Sequence, residues 1–292
     1  RSGYAHFNHT EGVGAYYDDG TVKDNTLVIY VTDENKNTVD YGYVNGQRVD
    51  LTPYLYQGNT GIGWILNNRA YSAQINNFGI TKLCNTYGAV AVRFIGTVNA
   101  EKGASKEDAK YSLIDGLTAH NSTENGGTVG DNGRMARIIS AKNLTLEGVG
   151  EDATVYGWGF PLVNNDINYK TTGAGSNFEV RNLTFEHYPE DAIGMEGNVQ
   201  EPLSQYTKAP VQRCWVHNNT FLPGYCGDPA DSDKAEGDGS CDFKRGEYFT
   251  LSYNYFTDCH KTNLIGASTS NLQYNVTMHH NWWNNCGSRV PY

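Results

Sequence analysis

This chain is poor in the residues that build helical bundles. Of its 292 positions only 18% are charged, and proline (8) and methionine (3) are scarce. Bundles draw on Ala, Leu, Glu and Lys, so the shortage argues against one. No apolar run is long enough for a membrane span, and the opening stretch RSGYAHFNHTEG has no apolar targeting core. The expectation is a soluble protein with no membrane partner, any export signal having been removed. Basic residues are outnumbered 22 to 32, for a net charge of −10. That argues against a nucleic-acid partner, because phosphate binding rests on clustered Lys and Arg. An acidic polymer would be repelled as well, unless a metal ion or a few placed cations reversed the field locally. The six cysteines, at 84, 214, 226, 241, 259 and 286, include no CxxC pair, so neither a zinc site nor a dithiol redox motif is indicated. Their even number in an Asn-rich chain points to a secreted, extracellular protein; buried free thiols are the other reading.

What is present is glycine (33), tyrosine (21) and abundant asparagine, the supply for many short strands joined by polar turns. From residue 89 the sequence repeats itself irregularly. NLTLEG (143–148) returns as NLTFEH (182–187), 39 residues on, and FTLSYNYFTDC (249–259) returns as VTMHHNWWNNC (276–286), 27 residues on. The second match pairs Phe249 with Val276, Leu251 with Met278, Tyr253 with His280, Asn254 with Asn281, Phe256 with Trp283 and Cys259 with Cys286. RCWVHNNTF (213–221) joins that frame through Asn219 and Phe221. Such repeats predict a solenoid whose coils bury their inner faces on one another, with loops of variable length at the corners. Asn219, Asn254 and Asn281 should then stack at one turn about 4.8 Å apart, each amide bonding its neighbour and otherwise orphaned turn backbone. Before residue 89, TLVIYVTDENKNTVDYGYV reads as a hairpin, and NNRAYSAQINNFGITKLC carries a short helix that caps the solenoid. The expected organisation is a single all-β domain over 1–292, with an irregular cap over 1–88 and coils over 89–292.

One stretch stands out chemically. AEGDGSCDFKRG (235–246) holds Glu236, Asp238 and Asp242 within seven positions, then Lys244 and Arg245. A solvated acidic loop is the bland account. An EF-hand starting at Asp231 fails, because its fifth and sixth positions are Ala235 and Glu236; a calcium β-roll would need the motif in series. Asp242 opens a strand-like segment and Lys244 projects from the same face. Repelling carboxylates on a rigid element invite a divalent cation, and the neighbouring cations then suit an anionic ligand.

The run GDGSCDFKRGEYFTLSYNYFTDCHKTNLIGASTS followed by YNVTMHHNWWNNCGSRVPY resembles the catalytic half of the pectate lyases of polysaccharide lyase family 1. Weaker likeness runs back through NFEVRNLTFEHYPEDAIGM and ARIISAKNLTLEGVG, so that it covers roughly 89–292. The resemblance implies a right-handed parallel β-helix that cleaves polygalacturonate by Ca2+-dependent β-elimination. It implies calcium carboxylates at Asp191, Asp238 and Asp242, a substrate-binding lysine at Lys244 in the DxK position, Lys261 in KTNLIG as a substrate-binding and catalytic lysine, and Arg289 in SRVP as the base. There are departures: the family's vWiDH segment reads CWVHNN, with His217 and Asn218 in place of the Asp and His, and Pro189 stands where some members carry a further aspartate, with Glu190 beside it. The chain also stops at Tyr292, short of further coils that family members carry, so a continuation or a second chain is expected to complete the solenoid.

An arginine base runs against the rule that guanidinium stays charged. A divalent ion about 6 Å away, at an effective dielectric of about 20, opposes that charge by roughly 5 kcal/mol, which brings the role within reach. Retention of the calcium carboxylates favours de-esterified substrate over the methyl ester that pectin lyases take; a non-catalytic uronate-binding β-helix is the non-enzymatic alternative. A hydrolytic galacturonase would show a GHG motif, and no histidine here has glycine on both sides. His260, His279 and His280 are read as packing and turn residues rather than metal ligands. Cys259 and Cys286 should stack on consecutive coils, and Cys226 with Cys241 would close a step around the acidic loop.

Overall fold

In a computed structural model of the chain, residues 2–103, 111–117, 134–197, 209–223, 237–266 and 273–290 are described. Short segments stack in parallel on three faces. The first face carries Leu27–Val31, Val90–Asn99, Lys142–Tyr156, Ser176–Arg181, Val211–His217, Gly239–Ser252 and Gln273–His279. On the second, the end of Lys142–Tyr156 is followed by Thr184–Glu186, Thr220–Leu222, Tyr255–Thr257 and Trp282–Asn284. The third stacks Ile138–Ile139, Phe160–Asn164, Asp191–Gly197 and the first half of Gly239–Ser252. This is the right-handed parallel β-helix the sequence implied.

Alternation along each short strand puts one apolar file inside. Leu144, Phe178, Cys214, Phe249 and Val276 stand in register on successive rungs. On the second face the rings of Phe185, Phe221, Phe256 and Trp283 lie nearly parallel, with centroids 5.2, 4.6 and 5.7 Å apart. The three phenylalanines are fully buried, each contributing about 1.5–3 kcal/mol by burial.

The asparagine ladder forms as expected. Asn219 N–H donates to Asn254 Oδ1 at 3.0 Å, and Asn254 N–H to Asn281 Oδ1 at 3.0 Å. The amides of Asn219, Asn254 and Asn281 donate onward to the carbonyls of Val180, Val216 and Leu251 at 3.0, 3.0 and 2.8 Å. The preceding residue, Asn218, Tyr253 or His280, takes a left-handed φ of 53°, 57° or 56°, which makes the corner sharp and orphans the backbone groups that the amides recover. The 39-residue repeat is corrected by the structure. Leu144 stacks on Phe178, and Asn177 donates to Asn143 across a separation of 34 residues. Asn182 instead precedes Thr184–Glu186, which pairs with Thr154–Tyr156. The two NLT strings occupy different corners, both needing a left-handed asparagine (φ 51° and 54°) before an extended strand.

The hairpin is present, with Leu27–Val31 antiparallel to Tyr41–Val44, and the helix Gly79–Tyr87 buries Ile80, Leu83 and Cys84. Leu27–Val31 also pairs in parallel with Val90–Asn99, so the first face reaches back into the region read as cap. Two buried asparagines fix the cap to the third face. Asn67 Oδ1 accepts from Arg137 N–H at 3.1 Å; Asn68 accepts from Ile139 N–H at 2.8 Å and donates to Ile139 O at 3.0 Å. The N-terminal segment is strapped across the rungs: Tyr4 and Ala5 N–H donate to the hydroxyls of Thr277 and Thr250 at 3.1 and 2.9 Å, and Ala15 N–H to that of Thr145 at 2.8 Å. Cys84, Cys214, Cys241, Cys259 and Cys286 are free thiols; Cys226 lies outside the described residues. Cys259 and Cys286 do sit on consecutive coils, where Gly287 N–H reaches Cys259 O at 2.8 Å.

Candidate active site

Four successive coils of the third face meet at one place. Asp191 opens its strand opposite Gly239. The next coil lies alongside: Ser240 and Cys241 N–H donate to Thr262 O at 3.0 and 3.1 Å, and Phe243 N–H to Leu264 O at 2.8 Å. The last coil follows, with Thr262 N–H on Ser288 O and Asn263 N–H on Arg289 O, both at 3.0 Å. This stacking gathers residues that are 98 positions apart in sequence, Asp191 to Arg289, with Asp238, Asp242, Lys244 and Lys261 between them.

Asp191 and Asp242 are 2% and 1% exposed. Asp242 Oδ1 accepts from Leu264 N–H at 2.8 Å, and Asp191 Oδ2 accepts from Lys244 Nζ at 2.6 Å. Their other oxygens, Asp191 Oδ1 and Asp242 Oδ2, are buried without a hydrogen bond. Both aim at the same gap: a Cβ on Gly239 would lie 2.6 Å from the first and 2.7 Å from the second. Burial, and then the charge of Asp191, push the Asp242 carboxyl well above its ordinary range, against Lys244, the Leu264 N–H and Arg289. Buried carboxyl oxygens facing one gap, one of them resisting ionisation for want of a countercharge, are what a hard cation relieves, and oxygen is its preferred donor.

Asp238 is turned differently, its Oδ1 accepting from Lys261 Nζ at 2.7 Å. The structure thus brings two of the three expected calcium carboxylates together and gives the third to a lysine. Among the described residues no three acidic, imidazole or thiol groups form a ready-made cage, so a cation here would complete its shell with water or ligand oxygens. Arg289 Nη1 stands 3.7 Å from Asp242 Oδ2 and 3.5 Å from the carbonyl of Asp238, in ion-pair range of the carboxylate but beyond hydrogen bonding to it. Buried Glu190 neighbours Asp191; His217 ends a first-face strand and Asn218 stands at the corner after it, the two bonded at 2.8 Å, with His217 also on Glu179 at 3.1 Å.

Three further participants are not legible in the sequence. Gly239 leaves the gap between the two aspartates open. Glu196 accepts from Lys244 Nζ at 3.1 Å and from Arg137 Nη2 at 2.8 Å. Burial raises the Glu196 carboxyl, but Lys244 and Arg137 outweigh it and bring it down to about 2. Lys244, lowered by burial, is carried well above its ordinary value by Asp191, Glu196 and Asp242. Only rung stacking sets Glu196 opposite Arg245, and no local motif announces that.

A family model described as "Pectate lyase" matches residues 61–292. The pectate trisaccharide-lyase of Bacillus licheniformis is 31% identical over 173 residues, covering 56% of this chain and 43% of that protein. The pectate lyase of Bacillus subtilis is 28% identical over 162 residues, covering 51% and 37%. The chain therefore spans less than half the length of these relatives. Among solved structures, a pectate lyase variant of Xanthomonas campestris aligns over 100% of this chain and 63% of its own at 18% identity and a TM-score of 0.55. A Bacillus pectate lyase in complex with trigalacturonate aligns over 100% and 64% at 21% and 0.50. With the model matching most of its length and its coils superposing on theirs, this chain belongs to the pectate lyase family.

Proposed function

We propose that the site cleaves de-esterified polygalacturonate by β-elimination, using Ca2+, and that the protein works outside the cell. The observation that carries this reading is the pair of buried oxygens without a hydrogen bond, Asp191 Oδ1 and Asp242 Oδ2, with Lys244 on Asp191, Arg289 in ion-pair range of Asp242 and Lys261 on the nearby Asp238. Family membership and the trigalacturonate bound by a similar structure support the substrate class.

Asp191 and Asp242 would hold the ion, with Asp238 recruited if Lys261 releases it. Bound there, calcium supplies charge that neutralises a uronate carboxylate, acidifies the proton on C5 and opposes the charge of Arg289. Arg289, in its neutral form, would take the C5 proton; the C–H electron pair forms the C4–C5 double bond, and the C4–O bond breaks with its electrons on the departing sugar oxygen, which takes a proton from water. Lys261, which bonds Asp238 in the free protein, would turn to the substrate carboxylate and hold it as its α-carbon becomes anionic. Lys244, locked between Asp191 and Glu196, fixes the carboxylate geometry and would offer its remaining N–H to substrate as a charge-assisted donor. The test is ultraviolet absorbance of the conjugated unsaturated uronate. It should rise on polygalacturonate with calcium, stay flat in chelator, and stay flat on fully methyl-esterified polymer. Rise on the ester in chelator would reassign the substrate; binding with no rise under any condition would leave a non-catalytic uronate binder.

A further inference from the structure

On the first face, where the N-terminal hairpin joins the coils, lies a cavity of about 610 Å³ lined by three tyrosines, Tyr30, Tyr41 and Tyr43. Strand alternation puts them there. Leu27 and Ile29 are fully buried, and Gly42 packs inward on Leu27, so Val28, Tyr30, Tyr41 and Tyr43 share the outer side. The three rings are half-buried and meet edge to face, Tyr43 with Tyr30 at 5.9 Å and with Tyr41 at 5.8 Å. The Arg48 guanidinium lies over the Tyr41 ring at 3.9 Å and holds it in place. Val22, Lys23, Asp24 and Thr26 of the N-terminal segment also line the cavity, as does Arg93 of Val90–Asn99. All of these residues except Arg93 lie ahead of the stretch 61–292 that matches the family model.

The charges in this wall are balanced within it. Arg93 donates to the Glu147 carboxylate at 2.7 Å and to the hydroxyls of Tyr30 and Tyr16 at 2.9 and 3.0 Å. Lys23 Nζ donates to the carbonyl of Gly14 at 2.9 Å. Asp24 is exposed and has no ion pair among the described residues. A ligand carboxylate would therefore meet cations already engaged and a like charge at Asp24. The hydroxyls of Tyr41 and Tyr43 make no hydrogen bond among the described residues, and each can both donate and accept.

We propose that this cavity is a second carbohydrate site, which binds a neutral oligosaccharide. The C–H faces of pyranose rings pack on the tyrosines, whose ring faces carry negative charge density. Sugar hydroxyls bond the free tyrosine hydroxyls and the Asp24 carboxylate. The volume is ordinary for a ligand site, and so is the combination of aromatic walls with a few polar groups. None of the residues of the aspartate centre takes part, and the ligand differs in charge from the one proposed there.

The test is calorimetric titration of the whole protein, in chelator, with two neutral hexamers, cellohexaose and β-1,4-linked galactohexaose, and with hexagalacturonate as the charged comparison. At least one neutral hexamer should bind with a Kd below about 1 mM. Tyr43→Ala should weaken it about tenfold, the size of a good aromatic contact, and leave hexagalacturonate unchanged. Tyr41→Phe and Tyr43→Phe keep the rings and their packing, and each should lose about threefold with its hydroxyl; they answer the question even where the alanine variant fails to fold. Failure of both neutral hexamers to bind wild type would overturn the site. So would unchanged affinity in Tyr43→Ala or in both phenylalanine variants, or a loss that falls on hexagalacturonate instead. No turnover is needed, so this result stands apart from that of the absorbance assay.

Discussion

Gly239 decides what the site can hold. An alanine there would put its methyl between Asp191 Oδ1 and Asp242 Oδ2, closer to both than van der Waals contact allows. Calcium at about a hundred times its Kd should raise the wild-type melting temperature by about 4 °C, and Gly239→Ala should abolish that shift; an undiminished shift would place the ion elsewhere. Arg289→Lys keeps a cation near Asp242 but not the fork or the reach. It should lower kcat at least about 100-fold, the ordinary worth of a positioned base, with the calcium-induced melting shift intact. Near-normal turnover would remove Arg289 from the base role. Glu196 gives a pH signature. Its carboxyl is held down to about 2 in the fold by Lys244 and Arg137, against the opposing effect of burial. A depressed folded value means stability fully present above the unfolded value of about 4.3 and lost as pH falls towards about 2. Acid denaturation followed by circular dichroism should show that loss, and Glu196→Gln should flatten this part of the curve.

At the scale of elements, the ladder is the unit of cohesion. Asn254 both donates and accepts within it, serving Asn219, Val216 and Asn281, whereas Asn281 is the last of the three. Asn254→Ala leaves buried turn groups unmet and should cost about 2–4 kcal/mol, more than Asn281→Ala; urea melts of both variants measure the difference. The ladder is legible in the amino-acid order alone, because Asn-x-aromatic recurs in fixed register and the corner demands it. The 39-residue match fails for a related reason: an N-L-T string satisfies any corner that needs a left-handed residue before a strand, so identity of letters does not mean identity of place. At the site, motifs identify Asp191, Asp242 and Lys244, and the structure brings them together. Their partners Arg137 and Glu196 escape sequence reading because their contact depends on rung height, which sequence leaves open while loop lengths vary.

Across the whole molecule, the N-terminal segment ties together rungs that are otherwise joined only to their neighbours. Its backbone spends donors on Thr277, Thr250 and Thr145 along the first face, where solenoid coils ordinarily unzip one by one. Thr250→Val keeps the shape and removes the acceptor for Ala5 N–H. It should lower stability by about 1–3 kcal/mol and expose the first residues to protease sooner than wild type; an unchanged digestion pattern would show the strap to be passive. At the opposite limit of the fold, Asn68 imitates a strand, offering Ile139 the same pair of bonds that another backbone would offer. A foreign peptide seeking to lengthen the third face at that margin finds the position taken, so the cap protects the molecule from runaway end-to-end growth as well as closing its core.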